Sequence, residues 1–310
     1  MDTNWLEDFV CLARTLNFTR AAEERHVTQS AFSRRIRALE IWAGTPLIDR
    51  STYPVKLSEA GEEFLPVAKD LVLTMLRNRD HLRARDRGGL TFNSFAAPHT
   101  VSITHLAPYL KDLEESEPLL RTRVVSDNLH ACCQLLSEGD CEFLLCYRHK
   151  HVPLTLDEQE FERLDLEQER LIPVVTPTDS GEPTWKLPGR RSNRIPYLAY
   201  AKGAFLREVV DHTLAGKTAA LELRHLDAFA EALKSRAAEG AGVAWLTESS
   251  VKDALASGEL VPAGDEQWCA KLSLSLFAAP TRLNEPGMRI WTHFQNAANR
   301  RGSSLSGAGA

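Results

Sequence analysis

At 310 residues the chain exceeds one ordinary domain and fits a small module joined to a larger one, or two linked lobes. With 43% hydrophobic and 25% charged residues and no apolar run near the ~20 residues of a membrane span, a transmembrane protein is excluded. The formal net charge of -5 argues against indiscriminate polyanion binding, so any nucleic-acid contact must be local.

The opening "MDTNWLEDFVCLARTLNF" carries acids where a secretory signal would carry lysines, which leads to the expectation of a cytoplasmic protein with no membrane partner. Leu6, Phe9, Val10 and Ala13 recur at helical spacing and predict a first helix. Thr19 is expected to cap a short second helix through "RAAEERH", whose Ala21 and Ala22 let a neighbour approach closely. Thr28 caps a third. On it, Gln29, Ser30, Ser33, Arg34 and Arg37 fall within roughly 140° of arc at ~100° per residue. Phe32, Ile36, Leu39 and Ala43 take the opposite side. The helix therefore has an apolar back and a front of groups that hydrogen-bond base edges and phosphates.

Gly44 ends that helix, and "TPLIDRSTYPVKLSEAG" alternates polar and apolar residues around Pro54, as a short hairpin does. Ser58 caps a long amphipathic helix despite Pro66. Its stripe of Leu65, Ala68, Leu71, Val72, Met75, Leu76 and Leu82 is too wide for a small module to cover, so a second chain is the expected cover. From about Leu90 strands alternate with helices, the pattern of a mostly parallel sheet. The strand candidates are "LTFNSFAA", "LRTRVV", "CEFLLCY", "LIPVVT", "IPYLAYA", "ALELRHL", "GVAWL" and "LSLSLFAA". The last comes late enough to return to an earlier sheet and join two lobes by two crossings. A final helix around "MRIWTHFQNAANRR" closes the fold, and 303–310 reads as a disordered tail.

The segment "AAPHTVSI" ends a strand and opens a helix. Its exposed N–H groups near His99, Thr100, Val101 and Ser102 are candidates to hold a carboxylate or another anion, against the plainer reading of a capped helix. His149 and His151 in "RHKH" raise the question of metal, but no Cys/His spacing supports a zinc site, and no metal or cofactor is expected. The six cysteines lack paired spacing and read as reduced thiols. Cys132, Cys133, Cys141 and Cys146 are redox candidates that fit small buried core residues equally well.

Trp5 to Gly61 resembles the winged helix-turn-helix of LysR-type transcriptional regulators, on "FTRAAEERHVTQSAFSRRIRALE", "GTPLIDR" and "LSEAGEEF" taken in order. The remainder resembles their two-lobed effector domain, an α/β fold of the type 2 periplasmic-binding-protein kind. Ile48 stands where the family usually has phenylalanine, and Thr247 where proline is common. "AFSRRIRALE", "GVAWL" and "TRLNEPGMRIW" are similar to the hypochlorite-responsive branch, whose switch is methionine oxidation. Here such a switch would rest on Met1, Met75 and Met288 alone.

The resemblance implies a DNA-binding module at 1–60, a linker and dimerisation helix at 61–88, and a regulatory domain at 89–302. It implies a homodimer or homotetramer on paired half-sites in double-stranded promoter DNA, a small-molecule effector or an oxidative signal, and RNA polymerase as a further partner. Polar residues at helical spacing usually form a solvated face, but the motif's order reverses that reading for Gln29, Ser30, Ser33 and Arg34, with Arg34 available for guanine and Gln29 for adenine. Thr19, Arg20, Thr28, Arg35, Arg37 and Lys56 are assigned to phosphates and to the helix start, and Arg50 to the minor groove. By position in the family cleft, Asn128, Tyr147 and Tyr200 join the effector candidates. Two other classes compete. An enzyme fused to a DNA-binding module lacks any assembled nucleophile, base and oxyanion set, and a transport binding protein is at odds with the N-terminal module.

Overall fold

Leu6, Phe9 and Leu12 recur every third residue and all three are fully buried, which gives the first helix an inner face to lay on its neighbours. The computed structural model describes residues 2–52, 54–86, 92–156 and 160–306, and contacts divide the chain into two units, Met1–Thr91 and Phe92–Ala310.

In the first unit α1 (Thr3–Thr15), α2 (Phe18–Glu24) and α3 (Gln29–Ala43) precede a two-strand wing, β1 (Ile48–Asp49) and β2 (Lys56–Leu57), and the long α4 (Glu59–Asp86). Val10 and Ala13 are half-buried at the edge of the α1 face, and Asp8 is buried within it. The cap of α2 is Asn17, not Thr19. The Asn17 side chain accepts from the backbone N–H groups of Thr19 and Arg20 at 2.9 and 3.1 Å, and Thr19 lies inside the first turn. Thr28 does cap α3, accepting from Ala31 N, and Gly44 closes it at φ +75°. Ser58 Oγ accepts from Gly61 N at 3.0 Å at the start of α4.

The stripe on α4 is covered over its first turns, where Ala68 is fully buried and Phe64, Leu65 and Val72 pack on the same core. On the adjoining side of α4 Val67, Leu71 and Met75 are exposed, and so are Ile41 and Trp42 of α3. The surroundings of Leu76 and Leu82, and residues 87 and 88 of the expected linker, lie outside the described residues.

The second unit is a nine-stranded sheet in the order β4-β3-β5-β11-β6-β9-β7-β8, with β10 beside β6. One lobe has β3 (Asn93–Pro98), β4 (Thr122–Asp127) and β5 (Phe143–Arg148) in parallel. The other has β7 (Ile195–Tyr200), β8 (Leu221–Asp227) and β9 (Val243–Thr247) in parallel. Two long strands, β6 (Glu162–Val175) and β11 (Ala270–Ala278), run antiparallel from Glu162↔Ala278 to Leu171↔Ala270 and stitch the lobes into one sheet, while β10 (Val261–Pro262) adds a short edge. The eighth strand candidate thus returns as expected. The sheet is mixed rather than mostly parallel, and β6 begins nine residues earlier than "LIPVVT".

Helices cover the sheet. A helical stretch enters as α5 (His99–Val101), passes through a π-type turn at Ser102–Leu106 and continues as α6 (Ala107–Ser116). It is followed by α7 (Leu129–Glu138), α8 (Phe205–Leu214), α9 (Ala230–Ala238), α10 (Glu248–Ser257) and α11 (Glu285–Ser306). Trp245 and Trp291 anchor the core, with Trp245 Nε1 donating to Trp268 O at 2.7 Å. The expected tail is corrected in part: 303–306 belong to α11, and 307–310 lie outside the described residues.

A Cβ on Gly61 would sit 2.1 Å from the backbone oxygen of Leu47, closer than any rotamer change can relieve. Gly61→Ala should therefore destabilise the first unit by about 2 kcal/mol or more, read as a lower unfolding midpoint by circular dichroism. An unchanged midpoint would mean that α4 and the wing do not meet at this distance.

Candidate nucleic-acid interface and ligand cleft

The third helix is fixed by what lies behind it. Phe32, Ile36 and Leu39 are fully buried in the core of the first unit, and the Phe18 ring meets Phe32 edge-on at 6.1 Å between centroids. With that side immobile, Gln29, Ser30, Arg34 and Arg37 are exposed and Ser33 is half-exposed on the other. Arg34 and Arg37 have no hydrogen-bond or ion-pair partner among the described residues, so their guanidiniums are available to an outside acceptor. Thr19, Arg20, Thr28 and Lys56 are exposed as well.

Three of the expected phosphate or groove contacts are engaged within the protein: Arg20 pairs with Glu24 at 3.4 Å along α2, and Arg35 and Arg50 reach across to other elements. Arg35 Nη1 donates to Asp8 Oδ2 at 3.3 Å, and Arg25 donates to Asp8 Oδ1 at 2.8 Å while also reaching Glu7. Asp8 is fully buried, so removing either arginine would leave a carboxylate poorly compensated. Arg35 is thus part of the brace between α1 and α3. Arg50 donates to Glu40 Oε2 at 2.8 Å and lies over the Phe18 ring, while the other Glu40 oxygen accepts from Leu47 N and Ile48 N at 3.1 Å each. That arrangement sets the wing against α3.

In the second unit a cleft of about 540 Å³ opens between the strand ends of the two lobes, within the size range of small-molecule sites. His99, Thr100, Val101, Asn128, Tyr147 and Tyr200 line it, and Ser102 does not: it is half-buried at the start of the π-type turn. Asn128 caps α7, accepting from Ala131 N at 3.0 Å. Phe229, at the start of α9, is 51% exposed and meets His99 edge-on at 5.1 Å. No local signal marks Phe229, which comes from the lobe opposite His99 and Thr100.

Behind Tyr147 lies a buried polar cluster. His105, in the π-type turn, has Nδ1 2.9 Å from Glu167 Oε1, and Nε2 2.9 Å from Tyr147 Oη and 3.2 Å from Glu169 Oε2. Tyr109 Oη donates to Glu167 as well. Burial alone would depress the imidazole, but hydrogen bonds and charge from Glu167 and Glu169 outweigh it and raise the pKa to about 9. The cluster ties the helical entry of one lobe to β6, and through Tyr147 it touches the cleft. A π-type turn at such a place is a frequent mark of function. The neighbouring Tyr200 hydroxyl is buried with no hydrogen-bond partner among the described residues, and burial raises its pKa.

The structure brings His212 of α8 to His149 and His151, with ring centroids 4.5–5.7 Å apart. The His151 and His212 rings stack rather than converge, and among the described residues no group of three His, Cys, Asp or Glu side chains is arranged to hold a metal ion. Cys132, Cys133, Cys141 and Cys146 are all buried in one apolar cluster. Burial pushes the Cys132 and Cys133 thiols up to about 11, and that of Cys141 higher still. A thiolate is the reactive form, so burial disfavours reaction at Cys132, Cys133 and Cys141.

The family model for the bacterial regulatory helix-turn-helix protein, lysR family, matches residues 3–62, and the LysR substrate binding domain matches residues 94–298. The chain belongs to the LysR family. Its members are DNA-binding transcriptional regulators and not enzymes. The HTH-type transcriptional regulator YjiE of Escherichia coli strain K12 is 27% identical over 292 residues, 94% of this chain and 93% of that protein. Full-length HypT of Salmonella typhimurium, a hypochlorite-specific LysR-type regulator, matches at TM-score 0.59 with 27% identity, covering 96% of this chain and 99% of that one. Vibrio fischeri DarR in complex with DNA matches at the same TM-score with 25% identity, covering 96% and 99%. In this LysR regulator the second matched domain contains the cleft. No helix among the described residues is long and apolar enough to cross a membrane.

His105 has a folded pKa of about 9 against an ordinary 6.5, so its contribution is complete below pH 6.5 and is lost as pH rises through 9. His105→Gln should lower stability by about 3 kcal/mol near pH 6.5, with the gap to the unmodified protein closing by pH 10 in urea unfolding. A gap that stays constant across that range would show that the imidazole is not charged in the folded protein.

Proposed function

We propose that this LysR regulator acts in the cytoplasm as a homodimer or homotetramer, seating the N-terminal half of α3 in the major groove of each half-site. The observation that carries this reading is the division of α3: a fully buried apolar back, and a front where Arg34 and Arg37 have no internal partner among the described residues. Arg34 suits the two acceptors on the major-groove edge of guanine and Gln29 suits adenine, with Ser30 and Ser33 adding shorter hydrogen bonds. Thr19, Arg20, Arg37 and Lys56 suit phosphates, and Thr28 holds the helix start. Arg35 acts by bracing α1 against α3. Arg50 serves first to fix the wing through Glu40, and its part-exposed guanidinium suits the minor groove.

Subunit pairing is supported by the exposed strip of Val67, Leu71 and Met75, with Trp42 beside Phe64 at 6.3 Å between ring centroids. Leaving so much apolar surface to water is unfavourable, and a second α4 would cover it. In the second unit, a small molecule held between the lobes would favour one lobe arrangement and so shift the populations of two states. RNA polymerase at the same promoter is the partner through which that shift would reach transcription. The cleft favours a bound effector over thiol oxidation, because the four clustered cysteines are buried and burial raises the pKa of Cys132, Cys133 and Cys141.

Once genome-wide mapping has given a bound promoter, fluorescence anisotropy separates these roles. Ser33→Ala with Arg34→Ala should cost about 10- to 100-fold on the promoter and far less on random DNA. Lys56→Ala should weaken both alike and reduce the salt slope by about 1. Equal losses on every sequence from both variants would contradict the assignment.

A further inference from the structure

The chemistry of the cleft wall differs from the anion site that its helix start suggests. Asp127, Glu208 and Glu231 face the cleft, and no lysine or arginine does among the described residues. The other lining groups able to become positive are His99 and His130, which carry charge only when protonated. Much of the remaining wall is apolar or aromatic, with Phe205, Phe229, Tyr147 and Tyr200 on it. We infer that the cleft takes an organic cation, an ammonium or amidinium head carried on an apolar, ring-sized body. The inference rests on the cleft being the effector site.

Carboxylates and aromatic faces attract the same kind of group, the first through full charge and the second through the ring quadrupole. Four helices start at this cleft, and a helix start favours anions. Three of these starts already have a carboxylate of the protein. Asp127 precedes the cap of α7 and accepts from Asn128 N at 2.7 Å, Glu208 sits in the first turn of α8, and Glu231 in the first turn of α9. Their half-charges are thus answered from within. The start of α5 lacks both an acid and a side-chain cap, but a helix of three residues does not reverse the sign of the wall.

The three carboxylates are not equal. Glu231 is offset by Lys234, whose Nζ lies 3.6 Å away. Asp127 is held by hydrogen bonds from Asn128. Glu208 has no ion-pair partner among the described residues, so it is the carboxylate most available to an incoming cation. The phenyl edge of Phe229, half exposed opposite His99, gives the body of the ligand a surface to cover.

The test is isothermal titration of the full chain with matched probes: 2-phenylethylamine and benzamidine, phenylacetate and benzoate, and the uncharged 2-phenylethanol. The cations should bind about 10-fold or more tightly than the carboxylates of similar skeleton. Glu208→Gln with Glu231→Gln, both close in shape and on the surface, should remove about 10-fold from cation binding and leave 2-phenylethanol unchanged. Thr100→Trp, which fills the cleft, should abolish binding of every probe. Carboxylates binding more tightly than cations, lost in Thr100→Trp, would overturn the cation assignment and leave the cleft as the ligand site. Cation binding that survives Thr100→Trp would overturn both, and no cation binding at millimolar concentration would overturn the assignment.

Discussion

The anchoring of α3 is the constraint on which the rest of the first unit depends. A recognition helix works only if its front is held at a fixed angle, and the angle is set by the three side chains behind it. Burying Phe32, Ile36 and Leu39 contributes about 2 kcal/mol each, and the buried Asp8 adds direction by drawing Arg35 and Arg25 toward α1. Glu40 does the corresponding work at the other end, where it holds Arg50 and two backbone N–H groups of the wing. Charge is therefore used twice as internal bracing, while Arg34 and Arg37 on the front have no internal partner among the described residues.

The second unit solves a different problem, that of making two lobes able to respond together. Its two antiparallel crossings are continuous strands, so any change in lobe angle must bend β6 and β11 rather than swing a loose linker. The bulge between Leu274 and Ser275 falls within the paired stretch, and the cluster of His105, Glu167 and Glu169 grips β6 just beyond it. Tyr147 belongs to both the cluster and the cleft. A ligand that moves Tyr147 thus acts on a charged group already bonded to the crossing strand, which gives a physical route from cleft to lobe angle.

The first unit was largely legible because its signals are local. Thr28, Gly44, and Ser58 with Gly61 act on residues next to them, and the 3.6-residue period assigns faces directly. Thr19 failed as a cap because the helix starts two residues earlier, where Asn17 accepts from the amides of Thr19 and Arg20. The N-terminal half of β6 was missed because "ERLDLEQER" alternates charged residues with leucines and reads as solvated, although Leu166 is buried. Pairings across long separations were hidden: Asp8 with Arg35, His105 with Glu167 and Glu169, His212 with the two histidines of "RHKH". The same is true of the cleft, whose Thr100 was accessible through the strand-to-helix pattern and Tyr147 through the family resemblance, while Glu208, Phe229 and Glu231 came from the opposite lobe.

The claim that the front of α3 reads base edges is tested most directly by a double-mutant cycle between Arg34→Ala and 7-deazaguanine placed at each guanine of a bound half-site. One guanine should show strong coupling, so that its loss of N7 costs about 1 kcal/mol or more in the unmodified protein and almost nothing once Arg34 is gone. Additive losses at every guanine would contradict the account and return Arg34 to the phosphates.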